Sequence, residues 1–146
     1  MDPVSYRTLV AFNREMKKLD DIYRSAAKEC GMAECAFWIL YTLRVEEKSF
    51  TQAELCEFLA EPKQTVNSVV ANMVKKEFVK LEPIPGTRNR KLLRLTENGR
   101  YYCDTVIRPV FEAEYRTIGR LTEQELDNCI SLLGKYISYL KEEAGI

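Results

Sequence analysis

From about Ser5 to Cys30, apolar residues return every three or four positions, at Leu9, Phe12, Met16, Leu19, Tyr23, Ala26 and Cys30, with Arg14, Lys17, Lys18, Asp21 and Lys28 between them. This spacing predicts one long amphipathic helix. Gly31 supplies its stop, because glycine enters the left-handed conformation that closes a helix without a steric penalty. Residues 34–44 are apolar on nearly every side, which suits a short helix buried over most of its surface.

Two shorter helical patterns follow. Thr51 and Glu54 have capping-box spacing, in which each side chain satisfies a free amide at a helix start, so a helix is expected from there to about Phe58. After a break at Ala60, Glu61 and Pro62, a second helix places Val66, Val69, Val70, Met73 and Val74 on one side and Lys63, Gln64, Thr65, Asn67, Ser68, Asn72 and Lys75 on the other. Two short helices with a tight connection, the second polar and basic outside, read as a helix-turn-helix. The run from Phe78 to Glu82 alternates apolar and polar, and Lys91 to Leu95 is strand-like. Between them lies a turn with Pro83, Pro85, Gly86, Arg88 and Arg90, so the pair predicts a hairpin with a basic tip.

Thr96 caps a further predicted helix to about Gly119, with Tyr102, Val106, Val110 and Tyr115 among its apolar positions. Thr122 and Glu125 form a second capping box. Behind it Leu126, Ile130, Leu133, Ile137 and Leu140 step by 4, 3, 4 and 3, the narrow seam of a helix-pairing contact. The fold class expected is mostly α with a small β-hairpin wing.

Formal net charge is zero over the 146 residues, yet the charge is unevenly placed. Residues 62–95 hold eight basic and two acidic side chains, 8 − 2 = +6, while residues 1–61 and 97–146 each come to −3 (8 − 11 and 6 − 9). One basic segment on an acidic body is the electrostatic footprint of a polyanion partner. The chain has no histidine, and its five cysteines (Cys30, Cys35, Cys56, Cys103 and Cys129) show no C-x-x-C spacing, so no metal site and no cofactor are expected. The thiols read as reduced, mostly buried small hydrophobes. Without histidine, a Gly-rich phosphate loop or metal-ligand spacing, an enzyme is not expected; Glu46 and Glu47 read as solvated loop charges. The N-terminus lacks a basic start with an apolar run behind it, and no stretch is apolar enough to span a membrane. The expectation is a cytoplasmic protein with no membrane partner.

Taken together, Thr51-x-x-Glu54-Leu55, Gln64-Thr65-Val66, the run Val69 to Val79, a basic hairpin, and Leu95-Thr96-Glu97-Asn98-Gly99 resemble the MarR (multiple antibiotic resistance regulator) family of winged helix-turn-helix transcription factors. The motif resemblance covers residues 50–100. Two positions depart from the family pattern: Glu77 stands where glycine usually follows the recognition helix, which would leave that helix without a left-handed glycine cap. In the wing, Thr87-Arg88-Asn89 replaces Asp-x-Arg, so either Arg88 or Arg90 is the groove-inserting residue.

The resemblance implies a single unit over residues 1–146, with a helical dimerisation region (1–33 and 97–146) and a DNA-binding region (34–96). It implies a homodimer on a pseudo-palindromic operator in double-stranded DNA, most simply a repressor. Gln64, Thr65, Asn67 and Ser68 would reach base edges, Lys63, Asn72 and Lys75 phosphates, and Arg88, Arg90 and Lys91 the minor groove. It also implies a small aromatic or phenolic effector, for which Phe12, Trp38, Tyr41, Tyr102 and Phe111 are candidate lining residues. The seam Leu126, Ile130, Leu133, Ile137 and Leu140 would form the dimer contact. The alternative is a winged-helix protein-interaction module without sequence-specific DNA binding, which would not need the +6 segment.

Overall fold

The computed structural model describes residues 2–46 and 48–146; Glu47, one of the two loop carboxylates above, lies outside them. Helix α1 (Pro3–Glu29) starts two residues earlier than its apolar pattern, because the Asp2 side chain accepts the backbone N–H of Val4 and Ser5 and Pro3 occupies the first helical position. It ends as expected: Gly31 is left-handed at φ 69°, and Met32 N–H donates to the Ala27 carbonyl. Helix α2 (Glu34–Val45) buries Cys35, Phe37, Ile39, Leu40, Thr42 and Leu43, as its all-round apolar sequence requires.

The helix-turn-helix is α3 (Gln52–Leu59) and α4 (Lys63–Lys75). Thr51 and Glu54 form the capping box: Glu54 N–H donates to Thr51 Oγ1 and Thr51 N–H to Glu54 Oε2. Three strands make an antiparallel sheet in the order β1-β3-β2, with β1 (Phe50–Thr51), β2 (Val79–Pro83) and β3 (Lys91–Leu95). Register runs Val79↔Leu95 to Pro83↔Lys91, with Phe50↔Leu93 on the other side of β3. Period-two alternation therefore buries Val79, Leu93 and Leu95 and turns Lys80 and Arg94 to solvent. The centre of the core is Phe37, Ile39, Leu40, Leu55, Val66, Val70, Val79, Leu93 and Ile107. Each such side chain contributes roughly 1.5–3 kcal/mol on burial, so the position of α4 against α2, α3 and the sheet is strongly determined.

After the wing the chain is helical to Ile118, but not uniformly: α5 (Glu97–Tyr102) passes through a π-helical segment at Cys103–Ile107 before α6 (Arg108–Ile118). The cause is Pro109. It brings no N–H, and its ring crowds the carbonyl four residues earlier, so the turn before it slips from the i→i−4 ladder. Within the segment, Cys103 and Ile107 are buried and Asp104 bonds Arg44 Nε of α2 at 2.8 Å.

The chain divides into two compact units, one through Arg108 and one from Pro109 to Ile146. In the second, α7 (Glu123–Ala144) opens on the Thr122 and Glu125 capping box and closes on left-handed Gly145. No residue of α7 is buried.

Candidate nucleic-acid interface

Helix α4 shows how one sequence serves two surroundings. Val66, Val70 and Met73 are buried, while Lys63, Gln64, Thr65, Asn67, Ser68, Asn72 and Lys75 are all exposed. Gln64, Asn67, Ser68, Ala71 and Lys75 follow one another at helical spacing on the outward side. Ala71 was not singled out from the sequence because it is neither polar nor charged, yet it is exposed among those residues, and an exposed methyl is what a thymine methyl packs against. The Ser68 hydroxyl donates to the Gln64 carbonyl at 3.0 Å, and Gln52 Nε2 of α3 donates to Asn67 Oδ1 at 3.2 Å. Gln52 was also missed; only the packing of α3 on α4 brings residues 15 apart together.

The C-terminus of α4 is clamped. Glu77 N–H donates to the Val74 carbonyl and Phe78 N–H to that of Met73, a Schellman closure with Glu77 itself left-handed at φ 59°. The Thr96 hydroxyl, which accepts Gly99 N–H to start α5, also donates to the Glu77 carbonyl, and Thr96 N–H donates to Phe78 O at 3.0 Å. Gly99 packs so tightly there that a Cβ would lie 1.9 Å from Phe78 O. Tyr102, one turn on, stacks on the Phe78 ring at 4.2 Å. The Thr96 to Gly99 motif thus locks the exit of α4 to the start of α5.

The wing turn is Ile84-Pro85-Gly86-Thr87, with Thr87 N–H bonded to the Ile84 carbonyl at 3.2 Å and Gly86 at φ 77°, where a type II turn needs glycine. Arg88, Arg90 and Lys91 are exposed, and among the described residues none of the three has an ion-pair partner. The other wing cations differ: Glu82 binds Lys80 Nζ and Arg94 Nε, each at 2.7 Å. The Lys80 hydrogen bond, helped by both positive charges, holds the Glu82 carboxyl below its ordinary range. Of the wing cations, Arg88, Arg90 and Lys91 at and beside the turn are therefore available, while Lys80 and Arg94 on the strands share the one Glu82 carboxylate.

A cleft of about 340 Å³ opens between α2 and α4, lined by Met32, Ala36, Leu40, Ser68, Asn72, Met73, Lys76, Phe78 and Tyr102 among others. Of the five aromatics expected around an effector, it gathers Tyr102 alone. Trp38 and Tyr41 meet edge to face at 5.3 Å in a cluster with Tyr23 and Phe37. Phe12 is half-buried on α1, and Phe111 lies in the second unit.

Comparison with known proteins points one way. The MarR family profile matches residues 32–88, which span α2, the helix-turn-helix and most of the wing. The HTH-type transcriptional repressor NicR of Pseudomonas putida is 29% identical over 116 residues, 80% of this chain and 73% of that protein. A MarR family regulator from Neisseria meningitidis superposes with a TM-score of 0.82 at 20% identity, covering 94% of this chain and 96% of that one. Over residues 32–88 the chain is thus similar to the MarR family, and its fold is that of the Neisseria meningitidis regulator. A MarR family transcriptional regulator from Streptomyces coelicolor, solved in complex with DNA, shares the fold with a TM-score of 0.73 at 17% identity over 96% of this chain and 93% of that one.

Within the MarR pattern, the two departures are structurally mild. Glu77 takes the left-handed conformation expected of the missing glycine, so the cap is kept without glycine. In the wing, the Thr87 hydroxyl donates to the Ile84 carbonyl at 2.8 Å and braces the turn. Along the seam, Leu126 and Leu133 are half-buried, whereas Ile130, Ile137 and Leu140 are 70%, 45% and 52% exposed. Among the thiols, Cys103 is the most insulated: burial pushes its pKa up to about 12 and keeps it a neutral core residue.

Proposed function

We propose that the protein binds a pseudo-palindromic operator in double-stranded DNA as a homodimer and represses transcription there. The observation that carries this reading is the exposed polar face of α4, with Gln64, Thr65, Asn67 and Ser68, together with a wing tip whose exposed Arg88, Arg90 and Lys91 have no ion-pair partner among the described residues. Such side chains on a rigid helix suit base edges in the major groove, and a basic tip suits the narrow, strongly negative minor groove. The name of the Pseudomonas putida relative and the DNA complex of the Streptomyces coelicolor neighbour support repression and DNA binding. Lys63, Asn72 and Lys75 take phosphates. The dimer forms through the exposed seam on α7, within the helical region 1–33 and 97–146, and spaces two α4 helices roughly 34 Å apart, one turn of DNA.

A small aromatic or phenolic effector releases the DNA by favouring a dimer with the wrong helix spacing. The cleft beside α4 suits such a molecule, with the Phe78 and Tyr102 rings for stacking and Ser68, Asn72 and Lys76 for polar groups. The test is selection of bound fragments from a random DNA pool, followed by gel retardation across salt concentrations. An inverted repeat with steep salt dependence is expected. A folded dimer that retards no DNA at low salt overturns the reading in favour of a protein-interaction module.

A further inference from the structure

We propose that Gln52 decides which base Asn67 reads: it holds the Asn67 carboxamide with the NH2 group outward, so that the base recognised is guanine and not adenine. The inference rests on the reading of α4 as the helix that enters the major groove. Gln52 is well placed to impose such an orientation. It is the first residue of α3, and its backbone is fixed on the preceding side by Thr51, which both pairs with Leu92 in the sheet and caps the helix. Beneath it, Leu55, Val66 and Val70 are essentially inaccessible, so the α3 and α4 backbones that carry the two amides cannot drift apart. Across this rigid junction, half-buried Gln52 donates Nε2–H to Asn67 Oδ1 at 3.2 Å.

An asparagine side chain has one acceptor oxygen and two N–H donors. Adenine offers an acceptor, N7, beside a donor, N6–H2, and asparagine reads it with both halves of the amide; guanine offers two acceptors, N7 and O6. With Oδ1 turned toward Gln52, only its second lone pair is left for adenine N6–H2 and that lone pair is aimed less well at the base, so the acceptor half of the adenine pairing is weakened. The outward NH2 group fits the paired acceptors of guanine instead. A poorly met donor in a dry interface costs more than a bond gained there, so the bias is set mainly by rejection of adenine.

The test compares sequence preference in the wild type and three variants, each checked for folding by circular dichroism. Asn67→Ala first identifies the base pair that Asn67 controls, as the one whose preference disappears. At that pair the wild type is expected to favour guanine over adenine by about tenfold. Gln52→Ala frees Oδ1 and should bring adenine to within about twofold of guanine while leaving the other positions unchanged. Gln52→Glu can only accept, so it turns the carboxamide over and should favour adenine or cytosine, on top of a uniform weakening from the added negative charge. Adenine preferred by the wild type, or one unchanged preference in both Gln52 variants, overturns the inference while the DNA-binding reading stands. A wild type that selects no sequence at all removes both.

Discussion

Helices α4 and α7 carry similar patterns and meet opposite fates. Both are amphipathic, but α4 spends its apolar side on the core and leaves its polar side bare, whereas α7, longer at 22 residues against 13, buries no residue fully and leaves apolar residues at the surface. A helix with its apolar stripe buried and its polar face unpartnered is complete as a piece of fold; what it lacks is a polar ligand. A helix with Ile130, Leu132, Ile137 and Leu140 in water lacks an apolar neighbour. The two deficits match the two partners proposed, DNA for α4 and a second copy of the chain for α7, and they can be separated experimentally.

The sharpest separation comes from charging the seam. Ile130→Glu with Ile137→Glu should abolish the dimer while α4 keeps every residue it presents. Operator affinity should then fall by about 100-fold or more, because the second half-site no longer binds at high effective concentration. Sedimentation and retardation read the effect, with circular dichroism to show that the helices persist. A folded double variant that stays dimeric and binds at full strength would remove α7 from the comparison.

Two smaller effects concern the other side. Gly99→Ala puts a methyl where Phe78 O already stands, and the clash should lower stability by roughly 1–3 kcal/mol, read as a fall in melting temperature. Because the junction also fixes the end of α4, operator binding should suffer even where the protein remains folded. Unchanged stability would mean that the strand and helix can separate, and that α4 is not clamped. Arg88→Ala with Arg90→Ala should leave stability alone and make the slope of log affinity against log salt shallower by up to about two, since each lost phosphate contact removes roughly 0.9. An unaltered slope would place the wing tip away from DNA and leave α4 to act alone.

How far these regions were legible in the sequence follows from the range of the forces involved. Caps are local, so Thr51, Thr96 and Thr122 announce their helices without reference to anything distant. The buried side of α4 was legible from periodicity, and the left-handed stop at Gly31 from residue type. By contrast β1 is two residues long and exists only because β3 lies alongside, which no period reveals. The π segment needed Pro109 to be read as a defect within a helix that continues through it. The Gln52–Asn67 bond and the Phe78–Tyr102 stack depend on packing between elements, so the sequence pointed to Asn67 and Tyr102 but not to what holds them.

The smallest effect tests that clamp from its strained side. Glu77 ends α4 at φ 59°, a conformation that costs a residue with a Cβ about 1–2 kcal/mol. Glycine would escape this cost but would give the unfolded chain extra freedom worth about 0.5–1 kcal/mol. Glu77→Gly should therefore stabilise the protein by roughly 0.5–1 kcal/mol. A second contribution runs the same way, because an acidic group at a helix C-terminus faces the negative end of the helix dipole. Glu77→Ala separates the two: it removes the charge and keeps the Cβ, so it should gain only the electrostatic part, a few tenths of a kcal/mol. Denaturant unfolding of the three proteins side by side reads the difference. If glycine is no better than alanine, the left-handed turn carries no strain at Glu77, and the Thr96 bond to its carbonyl holds α4 without opposing anything.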